Sequence, residues 1–251
     1  MADQLASVAD RIAEAVRANV DLDPPSEAGD DLDHADAYRV QELVAERLGV
    51  SDSPVCGYKV AMFGEPFFGR IRRRDVVHHR STVSMSELLR PRVEPELLFV
   101  MGEELAGSDL IYTDVLRATD FVIPSIEIIV SRFRPDATPT RGDVIAANSS
   151  YAKTVISGRP AAVDELDVAD LPVTLSRNGD PARRGGSERP AVSPVHAVLG
   201  LAATLDRLGL ALRPGDIVMT GSCADPLPVE AGDTVTAAFE GLGSVSVAFG
   251  P

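Results

Sequence analysis

Three glutamates stand where a carboxylate is costly unless something positive meets it. Glu94 and Glu96 lie in Pro91-Arg92-Val93-Glu94-Pro95-Glu96-Leu97-Leu98-Phe99-Val100. Residues two apart on a strand share a face, so the two carboxylates would point the same way. Like charges side by side repel, and a hard cation resolves the conflict, because Mg²⁺ and Mn²⁺ prefer carboxylate oxygens. A solvated edge strand is the alternative, and the apolar run after Glu96 argues for burial instead. Glu127 is isolated among β-branched residues in Ile123-Pro124-Ser125-Ile126-Glu127-Ile128-Ile129-Val130. If buried, it needs a partner, a proton or a metal. On an amphipathic strand it would face water. Lys59, in Cys56-Gly57-Tyr58-Lys59-Val60-Ala61-Met62-Phe63, either snorkels to solvent or sits in a pocket. In a pocket, desolvation would lower its pKa and suit it to proton transfer.

Other chemistries lack support. His34, His78, His79 and His196 show no ligand-like spacing, so zinc is not expected. No nucleophile elbow, phosphate-binding loop or dinucleotide fingerprint is present. Cys56 and Cys223 form no CxxC pair, which suits a reducing compartment. Cys56 reads as core. Cys223 reads as core or as lining a site. The net charge of −14 and the absence of a Lys/Arg-rich face argue against nucleic acid. The longest basic run, Arg70-Ile71-Arg72-Arg73-Arg74, reads as a solvated turn or a subunit contact. An acidic surface repels small anions, so an anionic substrate would need a local positive charge such as a bound cation. There is no secretory pattern at the N-terminus and no apolar stretch of bilayer-spanning length, so a cytoplasmic protein without a membrane partner is expected.

The elements that would position these groups fall into two parts. Residues 1–53 read as a helical N-terminal part. Leu5, Val8, Ile12 and Val16 mark a helix over residues 3–18, and Ala37, Val40, Leu43 and Val44 mark another over about 33–48. Residues 54–251 read as a β-rich catalytic domain. Strands are expected at Val55–Phe63, Glu94–Met101, Phe121–Val130, Tyr151–Ser157, Pro172–Arg177, Ile217–Thr220, Thr234–Phe239 and Ser244–Phe249. Asn178-Gly179 signals a hairpin, Ser193-Pro194 opens a helix ending near Gly209, and 160–170 reads as a loop. With no regular alternation of strand and helix, the fold class is α+β with a mixed, curled sheet.

In this order the pieces resemble the 2-keto-4-pentenoate hydratase and 4-oxalocrotonate decarboxylase branch of the fumarylacetoacetate hydrolase superfamily. The resemblance is carried by Asp36-Ala37-Tyr38-Arg39-Val40-Gln41, Gly57-Tyr58-Lys59, Pro91 through Glu96, and Ile126-Glu127-Ile128-Ile129 with Ser131-Arg132. Asp143-Val144-Ile145-Ala146, Asn148-Ser149-Ser150, Gly215-Asp216-Ile217-Val218, Gly221-Ser222 and Gly241-Leu242-Gly243-Ser244-Val245 complete it. It implies a mixed β-sheet roll with a small helical N-terminal part, assembled as a homodimer or larger homo-oligomer. It also implies Mg²⁺ or Mn²⁺ on Glu94, Glu96 and Glu127, Lys59 as proton carrier, and a pocket lined by Gly221, Ser222 and Asn148. The implied reaction is enolisation of a small 2-oxo or 2-hydroxy-dienoic acid, ending in hydration to a 4-hydroxy-2-oxo acid. Decarboxylation of a 2-oxo-dienedioate, acylpyruvate C–C hydrolysis and a catalytically silent partner subunit are the alternatives. Three departures bear on the choice. The family's Pro-Asp-aromatic-Gly reads Glu65-Pro66-Phe67-Phe68-Gly69, its Ala-Asp-Asn reads Ala146-Ala147-Asn148, and its Gly-His-Pro reads Val192-Ser193-Pro194. The shortened loop from Met62 to Gly69 would let Phe63, Phe67 and Phe68 crowd the entrance.

Overall fold

A computed structural model describes residues 2–157, 159–188 and 193–251; the side chains of Ala2 and Phe63 are not described. Two helices come first. α1 (Ala2–Ala18) buries Leu5, Val8 and Ile12, and α2 (His34–Arg47) starts where the Asp33 carboxylate accepts from Asp36 N at 2.8 Å. They pack on each other in a cluster closed by Phe133 and Ala146 of the strand-rich part.

The rest is two sheets. The larger draws on β1 (Val55–Phe63), β2 (Glu65–Arg72), β3 (Val76–His78), β5 (Arg92–Met101), β6 (Thr119–Ile129), β7 (Tyr151–Ile156) and β10 (Ile217–Ser222), in the order β2-β1-β10-β5-β6-β7-β3. A short β11 (Leu227–Pro228) pairs antiparallel with the start of β5. The smaller sheet takes β4 (Thr82–Ser84), β8 (Pro172–Arg177), β9 (Asp180–Gly186), β12 (Thr234–Phe239) and β13 (Gly243–Gly250), in the order β4-β13-β12-β8-β9. Parallel and antiparallel pairs mix in both, the curled α+β architecture expected of the sequence.

Alternation along β5 and β6 decides what each face holds. Val93, Leu97 and Phe99 of β5 and Val122, Ile126 and Ile128 of β6 enter the main core, where Leu175 of β8, Val235 of β12 and Val247 of β13 meet them. The residues between them, Glu94, Glu96 and Glu127 among them, occupy the opposite face. α5 (Pro194–Asp206) lays Val198, Leu201 and Leu205 on the core side. Its N-cap, Ser193, points its hydroxyl at His196 Nδ1, 2.7 Å away, and not at the backbone. Val192 lies outside the described residues. Asn178 (φ 53°) and Gly179 (φ 91°) make the expected hairpin turn between β8 and β9.

Several expectations need correction. Met62 to Gly69 is not a loop: β1 and β2 form a hairpin that turns at Gly64, with φ of 82°. The basic run is not a solvated turn throughout. Arg70 is 8% exposed, its guanidinium held by Gln41 and Glu42 and lying over the rings of Tyr38 and Phe68. Two short helices, α3 (Tyr112–Ala118) and α4 (Arg141–Ala146), were not expected. Cys223 is fully buried in the core, the first of its two readings.

Candidate metal centre and active site

β5 and β6 run antiparallel with Glu94 opposite Glu127 and Glu96 opposite Ser125. Paired positions share a face, so the three carboxylates converge. One oxygen from each lies within 4.8 Å of the others. Glu96 and Glu127 are 1% exposed. On the other side of β5, β10 bulges between Met219 and Ser222, and this takes Gly221 out of the ladder. Its N–H, freed at a φ of 106°, donates to Glu96 Oε2 at 2.9 Å. Ser222 pairs with Glu96 in register, but its hydroxyl donates to the Ala224 carbonyl at 2.6 Å.

Lys59 reaches this cluster from β1, and its Nζ stands 3.3 Å from Glu127 Oε1 at 8% side-chain exposure. The contact is an ion pair without hydrogen-bond alignment, for neither Glu127 oxygen accepts a hydrogen bond among the described residues. Three carboxylates and one ammonium would leave the site two charges negative. Burial pushes the Glu94 carboxyl up to about 7, and the facing Glu127 adds to the push. Burial, then Glu127 and Glu94, lift Glu96 well above the ordinary carboxylate range. Burial also raises Glu127, against the pull of Lys59. For Lys59, burial lowers proton affinity, but Glu127, Glu94 and Glu96 outweigh it, so its pKa is raised. The expected lowering by desolvation is therefore corrected: the sequence did not place three carboxylates around the amine.

A divalent cation fits this donor set. It would neutralise the excess charge and meet the otherwise unpartnered Glu127 oxygens, and hard divalent cations take carboxylate oxygens. Glu94, Glu96 and Glu127 are the residues that could hold it.

The expected substrate contacts divide. Phe67 faces Ala61 in register and shares the Lys59 face. Phe68 does not: it pairs with Val60 on the opposite face, is fully buried, stacks on Tyr38 at 4.3 Å and donates its backbone N–H to the Tyr38 hydroxyl oxygen at 3.1 Å. Its assignment to the substrate pocket is corrected. Asn148 is tied to β2: its Oδ1 accepts from Arg70 N at 2.8 Å and its Nδ2 donates to Arg70 O at 3.1 Å, so the side-chain amide clamps that strand with one bond at each end. The Phe63 side chain lies outside the described residues.

Two residues flanking the Asn148 contact have roles that the sequence alone does not assign. Gly69 lies opposite Lys59, where a Cβ would come within 2.7 Å of the Asn148 carbonyl oxygen and 3.3 Å of Lys59 Cγ. Ser149 is 2% exposed, with its Oγ unpartnered among the described residues and its backbone at φ 55°. It sits within Asn148-Ser149-Ser150, three consecutive residues in the left-handed region. Three consecutive non-glycine residues in that region carry backbone strain that the surrounding packing must hold. The Asn-Ser-Ser run was the available signal.

Comparison with known proteins agrees with this geometry. Residues 59–249 match the fumarylacetoacetate hydrolase C-terminal family. The chain is 31% identical to the TodF product hydratase of Pseudomonas putida strain F1 over 96% of this chain and 93% of the relative. It is 31% identical to the 4-oxalocrotonate decarboxylase of Pseudomonas sp. strain CF600 over 98% and 97%. The solved 4-oxalocrotonate decarboxylase of Pseudomonas putida G7, complexed with magnesium and adipate, superposes with a TM-score of 0.93 at 28% identity, covering 99% of this chain and 98% of that one. The chain belongs to the fumarylacetoacetate hydrolase family, in its 2-keto-4-pentenoate hydratase and 4-oxalocrotonate decarboxylase branch.

Proposed function

We propose that this protein is a lyase dependent on Mg²⁺ or Mn²⁺ that enolises a small 2-oxo or 2-hydroxy-dienoic acid and adds water to give a 4-hydroxy-2-oxo acid. The observation that carries the reading is the buried cluster of Glu94, Glu96 and Glu127 beside Lys59. The magnesium in the related decarboxylase supports a divalent ion. When bound, the ion supplies Lewis acidity to the substrate's carboxylate and 2-oxo oxygens. The three glutamates hold it, and Gly221 N–H fixes the carboxylate of Glu96. Lys59 Nζ carries the proton between the enol oxygen side and the chain carbon of the dienol, from a position its ion pair with Glu127 already fixes. Phe67 supplies an apolar wall on the same sheet face. Both cysteines are free, which supports a reducing, cytoplasmic setting. Half-buried Val100, Phe121 and Ile217 on the glutamate-bearing face support a homo-oligomer.

One observation favours decarboxylation as the second reading. The position facing Ala61 on the Lys59 side is Phe67, so it offers no carboxylate to direct a water molecule. The test is to incubate the protein with Mg²⁺ and 2-hydroxypenta-2,4-dienoate or 2-oxo-hexenedioate, and to weigh the products. A product heavier by one water establishes the hydratase. A product lighter by carbon dioxide, from the dicarboxylate only, moves the assignment to decarboxylase. No change in either would refute both.

A further inference from the structure

A cavity of about 250 Å³ lies between the N-terminal helices and the end of the larger sheet. None of Lys59, Glu94, Glu96 and Glu127 lines it. Tyr151 stands between the two sites: it lines the cavity, and its hydroxyl meets Thr154, the residue opposite Glu127 in register. The walls differ in kind. α1, α2 and the α2 C-cap contribute the apolar Ile12, Val16, Val44, Ala45 and Leu48, and the polar Gln41 among them has its amide already bonded to Arg70 and to the Ile145 carbonyl. The sheet side contributes Arg70, Arg72, Arg74, Arg132 and Lys153 against Asp75 and Glu87 alone. A surplus of three positive charges thus gathers in one cavity of a chain whose net charge is −14.

Three of these cations, Arg72, Arg74 and Arg132, form no ion pair with a carboxylate among the described residues. Lys153 pairs with Glu87 at 3.4 Å and Arg70 with Glu42 at 3.0 Å. The half-buried Arg132 has only the Asn19 side-chain oxygen, 2.9 Å from its Nη1, and Arg72 only the Ser53 carbonyl at 2.8 Å. A guanidinium in such a place has several donors unspent and gains most from a carboxylate. Burial lowers the Arg132 pKa with no anion to oppose it.

We infer that this cavity is a second binding site, separate from the glutamate cluster, for a small amphiphilic carboxylate whose head meets Arg132 and Arg72 and whose tail lies on α1 and α2. A cavity of about 150 Å³ holds benzene, so this one takes about ten non-hydrogen atoms, the size of octanoate.

The test is calorimetric titration of octanoate into metal-free protein in chelator. Wild type and Glu127→Gln should bind one octanoate with equal affinity. Arg132→Met should weaken binding at least about tenfold, and Val16→Phe, which fills the apolar end, should weaken it independently, so that one variant decides if the other does not fold. Octylamine should not bind, and inorganic phosphate should bind more weakly than octanoate. Four results would overturn the inference. They are no binding to wild type, unchanged affinity in both cavity variants, loss of binding in Glu127→Gln, or tighter binding of phosphate than of octanoate.

Discussion

Raising the pH of the metal-free protein should destabilise it, and a divalent cation should remove the effect. Glu94 has its carboxyl raised from 4.5 to about 7 by burial and by Glu127. A carboxyl that holds its proton more tightly when folded contributes stability fully below 4.5, and that contribution is lost as the pH rises through about 7. At about 1.4 kcal/mol per unit, the loss is about 3 kcal/mol between pH 5 and pH 8. In a chain of 251 residues this corresponds to a Tm lower by about 6–12 °C. Glu96 and Glu127 are raised too and act in the same direction. The raised pKa of Lys59 starts from 10.5 and adds nothing in this window. Asp75 and Asp216 are also raised by burial, but neither belongs to the cluster, so their share is insensitive to metal. Differential scanning fluorimetry isolates the cluster's share as the difference between chelator and Mg²⁺ across this pH range. Glu94→Gln, a mimic of the protonated acid, should be more stable than wild type at pH 8 in chelator, and less responsive to Mg²⁺. If the metal-free Tm stays level from pH 5 to pH 8, or falls equally in Mg²⁺ and in Glu94→Gln, the buried carboxylates do not carry the strain assigned to them.

Lys59→Met should lower turnover by about 10²–10⁴-fold with metal affinity kept within a few-fold, as measured by steady-state kinetics and calorimetry; retained turnover would remove Lys59 from proton transfer. Asn148→Ala should cost about 1–3 kcal/mol in denaturant unfolding, because it orphans the backbone N–H and carbonyl of Arg70, and should change KM less than kcat or stability; a large rise in KM alone would show Asn148 to be a substrate contact. Gly69→Ala should lose activity beyond its effect on stability, since its Cβ would displace the Asn148 carbonyl and the Lys59 stem; a fully active, stable variant would show that the turn over Lys59 yields freely.

How much of this was legible before the fold was known depended on whether a residue's partners were near in sequence. The three glutamates could be read because strand alternation is local: Glu94 and Glu96 sit two apart in an apolar run, and Glu127 interrupts another. β1 was matched end to end for the same reason. β2 was missed because Pro66-Phe67-Phe68-Gly69 has no alternation; its strand state comes from pairing with β1. That register also separates Phe67 from Phe68, which composition cannot. Arg70 read as solvated because its neighbours are arginines, yet its partners Gln41 and Glu42 lie 29 and 28 residues away. α3 and α4, at 7 and 6 residues, are too short to show a helical period. The direction of the Lys59 shift was misread because burial is visible in an apolar run while carboxylates arriving from β5 and β6 are not.

The claim on which the rest depends is that Glu94, Glu96 and Glu127 together hold one divalent ion. Titration of Mn²⁺ into metal-free protein at pH above 7, followed by calorimetry in wild type and in Glu127→Gln, tests it directly. The expected result is one ion per chain in wild type and an affinity reduced by at least about a hundredfold in the variant, where one of three carboxylate ligands is lost. Equal affinity in the two proteins, or no binding to wild type, would contradict it.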